Sequence, residues 1–140
     1  MLAAILLLLM PGCTETKADP APPAKASKIV CTAAYRATTS MPIEREESIS
    51  FEDAATLQTM GFGELDLHAT YSTGEGDGER SLQLWVSEAG RSDRLISQLY
   101  QLPLDSGPQN QFVGGHGFTG LNYVYHPISG AELQFWCQAE

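Results

Sequence analysis

From Ile29 onward the chain alternates apolar and polar residues with a period of two, and no stretch of about eleven residues or more holds a helical stripe. Glu64 to Tyr71 sets Leu65, Leu67, Ala69 and Tyr71 against Asp66, His68 and Thr70; Ser81 to Val86 repeats the pattern with Leu82, Leu84 and Val86. Successive side chains of a strand point to opposite faces, so each segment reads as a strand with one face toward a core. Ile29 to Tyr35 is a further strand, Glu47 to Phe51 ends a second, and Arg94 to Leu102 is another. Leu121 to Tyr125 and Ala131 to Cys137 form a hairpin, with Pro127 and Gly130 supplying the turn chemistry between them. Asp53 to Met60 alone is expected to be a short helix. About seven strands separated by Gly-, Asp- and Pro-rich loops predict an all-β domain, an antiparallel β-sandwich or small barrel. No internal repeat is visible.

The N-terminal region has a different composition. Leu2 to Met10 is apolar but too short to span a bilayer core of roughly 30 Å, and suits the apolar part of a cleaved export signal. Leu6-Leu7-Leu8-Leu9-Met10-Pro11-Gly12-Cys13 resembles a bacterial lipoprotein signal: Gly12 and Cys13 fit, Met10 stands where a leucine is usual, and Pro11 takes a small-residue position. The resemblance implies that residues 1–12 are a signal peptide and that Cys13 becomes the N-terminus, lipidated on its sulfur and acylated on its amine. With Thr14 rather than Asp after the cysteine, it favours the outer membrane of a bacterial envelope, the domain facing periplasm or exterior. No Lys or Arg precedes Cys13, so the translation start is expected upstream.

Residues 13–28, the lipidated cysteine and its Pro/Ala-rich linker, contain no apolar residue larger than Ala or Pro after Cys13. Such a stretch builds no core and is expected to be a disordered, extended tether, at roughly 3 Å per residue. Residues 29–140 then form one β domain, long enough to bury roughly two thirds of its unfolded surface.

With Cys13 assigned to lipid, Cys31 and Cys137 remain as one pair near the two ends of the domain. In an oxidising compartment a disulfide joining first and last strands is expected. There is no C-x-x-C and no adjacent Cys/His cluster to favour metal or redox use. The balance of 8 basic to 17 acidic residues, net −9, argues against nucleic acid as a partner and against recognition of anionic headgroups. Membrane attachment would rest on the acyl chains.

Three motifs dissolve in context. Gly115 to Gly120 matches G-x-G-x-x-G, but a strand follows where a dinucleotide fold needs a helix. Gly74 to Glu79 has the look of a calcium loop, yet Leu84 stands where a bidentate Glu is required. His68, His116 and His126 lack metal-ligand spacing, and no G-x-S-x-G elbow exists; any Ser/His/Asp grouping would have to be assembled by the fold.

The feature that points to function is aromatic placement. Parity puts Trp85 beside Gln83 and Ser87, and Trp136 beside Gln134 and Gln138, on the polar sides of their strands. Outward tryptophan among amides suits stacking on sugars or gripping a partner, and Tyr123 and Tyr125 extend the patch if their parity permits. The competing structural reading is that these faces are covered by other parts of the fold. The reading is therefore a non-catalytic, lipid-tethered binding or assembly module with a protein or glycan partner in the envelope and no cofactor. The alternative is a small envelope hydrolase or metal-dependent enzyme, and a purely structural or inhibitory lipoprotein is a third.

Overall fold

A computed structural model describes residues 28–52, 55–74, 80–103, 110 and 120–140. Among them are eight strands: β1 (Ile29–Arg36), β2 (Arg45–Phe51), β3 (Ala55–Phe62), β4 (Leu65–Thr73), β5 (Arg80–Glu88), β6 (Arg94–Gln101), β7 (Asn122–Tyr125) and β8 (Glu132–Ala139). They form two antiparallel four-stranded sheets packed as a sandwich, β2-β1-β8-β7 and β3-β4-β5-β6. The second sheet is a plain meander of neighbours in sequence. The first is built from the two chain-end hairpins, β1–β2 and β7–β8, zipped together through the β1–β8 pair.

The alternation read from the sequence is what fills the space between the sheets. Leu65, Leu67 and Ala69 of β4, Leu82, Leu84 and Val86 of β5, and Leu133 of β8 have no accessible surface, and Phe135 and Cys137 have almost none. Ile29, Cys31 and Ala33 of β1 join them, with Phe51, Met60 and Phe62. Burying a large aliphatic or aromatic side chain is worth about 1.5–3 kcal/mol, so this cluster is the main source of stability.

The expected helix over Asp53 to Met60 is corrected: Ala55–Phe62 is strand β3, an edge strand paired with β4. A register shift between Ala55 and Gln58 interrupts the period, and Leu57 points outward, so the inward set reduces to Met60 and Phe62. That irregularity hid the strand's alternation. The β3–β4 turn passes through Gly63 at φ 74°, a conformation that costs an L-residue with a Cβ about 1–2 kcal/mol.

Cys31 and Cys137 lie directly opposite each other on β1 and β8 and are disulfide-bonded, so the staple lies within one sheet and ties the two chain-end hairpins together. Beyond the strand pairing, Lys28 and Glu140 exchange both backbone hydrogen bonds and a side-chain ion pair of 2.9 Å at the same edge. Each lateral opening of the sandwich is bridged by polar side chains. Between β6 and β7, Asn122 accepts from Gln98 at 3.3 Å and donates toward the Tyr100 hydroxyl at 3.5 Å. Between β2 and β3, the Arg45 guanidinium donates to the Gly61 carbonyl at 2.7 Å and lies 5.1 Å from the Phe62 ring centroid.

Candidate binding surface

Outward positions follow from register. On the β2-β1-β8-β7 sheet they are Glu46, Ser48 and Ser50 of β2, Val30, Thr32, Ala34 and Arg36 of β1, Glu132, Gln134, Trp136 and Gln138 of β8, and Tyr123 and Tyr125 of β7. The parity left open by the sequence is thereby set: Tyr123 faces outward opposite Gln134, Tyr125 opposite Glu132, and Trp136 lies one residue pair further along β8, diagonal to Tyr123. At about 3.4 Å per residue, the levels of Tyr125, Tyr123 and Trp136 span roughly 14 Å along the strands. Tyr123 and Tyr125 are about half exposed, at 47% and 51%, Leu121 beside them is 37% exposed, and Trp136 is half-buried. Among the described residues neither Trp136 nor either tyrosine has a stacked ring or an overlying cation.

The polar surround of this row is nearly uncharged. The charged outward side chains of β1, β8 and β7 are Arg36 and Glu132, and they neutralise each other: the Glu132 carboxylate, 1% exposed, accepts from Arg36 Nε at 2.8 Å and Arg36 Nη2 lies at 2.8 Å. Gln134 donates to the same oxygen at 2.6 Å, and the Tyr125 phenol stands opposite Glu132 on β7. Burial pushes the Glu132 pKa up, but the hydrogen bonds from Arg36, Gln134 and Tyr125 outweigh it and hold the group below its ordinary value. The carboxylate in turn raises the Tyr125 phenol. Glu132 thus fixes Arg36 and Gln134 in place beside Tyr125 at one end of the row. Thr32, opposite Trp136, shares a 2.8 Å hydroxyl hydrogen bond with Ser48.

Trp85 lies elsewhere. It is outward on β5, on the other sheet, between His68 of β4 and Ser97 of β6. Its ring stacks on His68 at 5.1 Å and 15°, and the Arg94 guanidinium from the β6 side sits 4.4 Å from its centroid. His68 is itself held by Thr59 Oγ1 on Nδ1 at 2.9 Å and by Ser87 Oγ on Nε2 at 3.0 Å. Burial lowers its pKa, Asp66 raises it and Arg94 lowers it, leaving it below the ordinary 6.5. The two tryptophans that the sequence grouped by their polar neighbours occupy opposite faces of the sandwich.

No described family, curated protein or solved structure matches the chain. The chemistry of the side chains therefore carries the functional reading.

The fold does assemble a Ser/His/Glu grouping. In the β7–β8 turn the Ser129 hydroxyl lies 3.0 Å from His126 Nδ1, and His126 Nε2 lies 3.9 Å from Glu88. The protons run the wrong way for a nucleophile. Ser129 has one hydroxyl proton and donates it to Glu64 at 2.6 Å, while His126 Nδ1 accepts from the backbone N–H groups of Ile128 and Ser129. A general base must take the hydroxyl proton, and here that lone pair is committed to the turn. The cluster ties the β7–β8 turn to the β3–β4 and β5–β6 turns. Among the described residues no group of three or more His, Cys, Asp or Glu could hold a metal ion.

Sequence reasoning missed Glu132, Arg36 and Arg94 as partners of the aromatic residues, because cross-strand and cross-sheet neighbours depend on register. Leu121 was within reach, since it shares the parity of Tyr123. Cys13 with the signal and linker, the Glu75 to Glu79 part of the acidic loop, and Gly115 to Thr119 with His116 lie outside the described residues.

Proposed function

We propose that this chain is a non-catalytic, lipid-tethered binding domain of the bacterial envelope, engaging its partner through Trp136, Tyr123 and Tyr125. The observation that carries the reading is that these three aromatic residues share one outer sheet face while, among the described residues, none is stacked on a ring or covered by a cation. Tyrosine and tryptophan give large contact area at low entropic cost, which is why they dominate binding hot spots. The tether reading rests on Gly12-Cys13 and the Pro/Ala-rich stretch after it, which at roughly 3 Å per residue holds the domain some tens of Å from a membrane.

Two measurements in intact cells test the proposal. A palmitate analogue should label the polypeptide and fail to label Cys13→Ser; an unlabelled wild type recovered among cytosolic contents contradicts the tether. A photo-crosslinking residue at Tyr123 should form adducts that one at Ser97, on the opposite sheet, does not; adducts from Ser97 alone contradict the assigned surface.

A further inference from the structure

We infer that the ligand of the Trp136 face is an uncharged carbohydrate, a chain of neutral pyranose rings lying along β7 and β8. The inference rests on the binding surface proposed above and adds the class of ligand. Three features select it.

Charge comes first. The protein carries a net charge of −9, yet the outward positions of β1, β8 and β7 hold one cation and one anion, Arg36 and Glu132, paired at 2.8 Å. At the far edge the ion pair of Lys28 with Glu140 repeats the cancellation. A polyanion meets no free cation on these strands, and the acid of the same outer face, Glu46, stands opposite Ala34 on the edge strand β2, two strands away from β8. Strands β1, β8 and β7, which carry and flank the aromatic row, thus hold balanced charge on a strongly acidic protein, and that complements a ligand without charge.

The second feature is the mixture of side chains. Around Trp136 stand Thr32, Gln134 and Gln138, with the Tyr123 hydroxyl on the neighbouring strand. An amide offers two donors and a carbonyl acceptor, and a hydroxyl offers one donor and two lone pairs. Sugar hydroxyls are donors and acceptors at once, so neutral groups of this kind match them without the desolvation cost of a charge. The apolar C–H face of a pyranose ring rests on an aromatic face, and Tyr125, Tyr123 and Trp136 present three rings over roughly 14 Å along the strands.

The third feature is fixation. The buried Glu132 carboxylate holds Arg36 at 2.8 Å and Gln134 at 2.6 Å beside Tyr125. Side chains already held in place lose less entropy on binding, which favours a ligand offering weak individual contacts.

The test uses the full chain titrated with chitohexaose, cellohexaose and maltoheptaose, read by tryptophan emission in the Trp85→Phe variant, where Trp136 is the sole emitter, and by calorimetry in the wild type. At least one oligosaccharide should bind with an affinity that Tyr123→Ala and Trp136→Ala each weaken about tenfold or more, and that Leu99→Ala on the opposite sheet leaves unchanged. Binding should hold between low salt and about 1 M NaCl, because no ion pair is formed. Trp136→Phe, which keeps a ring, should retain part of the affinity and guards against misfolding of the alanine variant. The carbohydrate is overturned if none of the three sugars binds, or if polygalacturonate binds in their place with salt sensitivity. Protein adducts from position 123 alongside silent sugars would leave the binding surface standing without a glycan; absence of both would remove both.

Discussion

Trp85 and Trp136 hold equivalent places, each outward on an inner strand, β5 in one sheet and β8 in the other. Their surroundings differ. Trp85 is engaged by His68 and Arg94, and His68 is anchored by Thr59 and Ser87, so that face is knitted together across β3, β4, β5 and β6. Trp136 has hydroxyls and amides beside it, and its aromatic neighbours stack on no ring among the described residues. The same residue type in the same sequence setting serves cohesion on one face and is left available on the other. What separates them is lateral: which side chains the adjacent strands bring alongside.

The sheets also differ in how they are held. The β3-β4-β5-β6 meander pairs strands adjacent in sequence, whereas the β2-β1-β8-β7 sheet closes only when β1 meets β8. The largest effect should therefore come from the Cys31–Cys137 disulfide, which closes a separation of 106 residues. Reduction, or Cys31→Ala with Cys137→Ala, should cost roughly 4–5 kcal/mol by urea unfolding, close to the net stability of a small domain. A loss below about 1 kcal/mol would mean that the β1–β8 pair is held by its other contacts. Leu84→Ala in the meander and Leu133→Ala in the chain-end sheet should each cost about 2–5 kcal/mol, as both are fully buried.

Arg36→Ala sharpens the contrast, because it leaves the buried Glu132 carboxylate with Gln134 and Tyr125 alone. A loss of roughly 2–3 kcal/mol is expected at neutral pH, with partial recovery in Arg36→Ala/Glu132→Gln. A smaller effect separates the faces by pH. His68 has a folded pKa below 6.5, so the unfolded chain takes up its proton first. Its contribution is complete above about pH 6.5 and falls as the solution is acidified toward the folded value. Glu132, also depressed, contributes fully above its ordinary 4.5 and loses its contribution only below that. Urea midpoints of the wild type should decline as the pH falls below about 6.5, and those of His68→Gln should decline less; parallel curves would show that His68 titrates alike in both states.

Much of the fold was legible because burial on one side of a strand imprints period two on the sequence. Leu65, Leu67 and Ala69, or Leu133 and Phe135, announce both strand and face. β3 was not legible, since its register shift and the outward Leu57 break the alternation. For the candidate surface, parity revealed that Trp85 and Trp136 point outward and left the two tyrosines undecided. Nothing along the chain tells that Arg94 ends beside Trp85 or that Glu132 meets Arg36 from 96 residues away. Those pairings exist only after strand order and register are set.

The contrast between the tryptophans is tested most directly by thermal unfolding of Trp85→Ala and Trp136→Ala side by side. Loss of the His68 stack and the Arg94 contact should cost about 2 kcal/mol and lower the Tm of Trp85→Ala by roughly 5–10 °C. Trp136→Ala should stay within about 1 kcal/mol of the wild type. A Trp136→Ala variant destabilised as much as Trp85→Ala would show that Trp136 also serves to hold the domain together, and would contradict its assignment to a ligand.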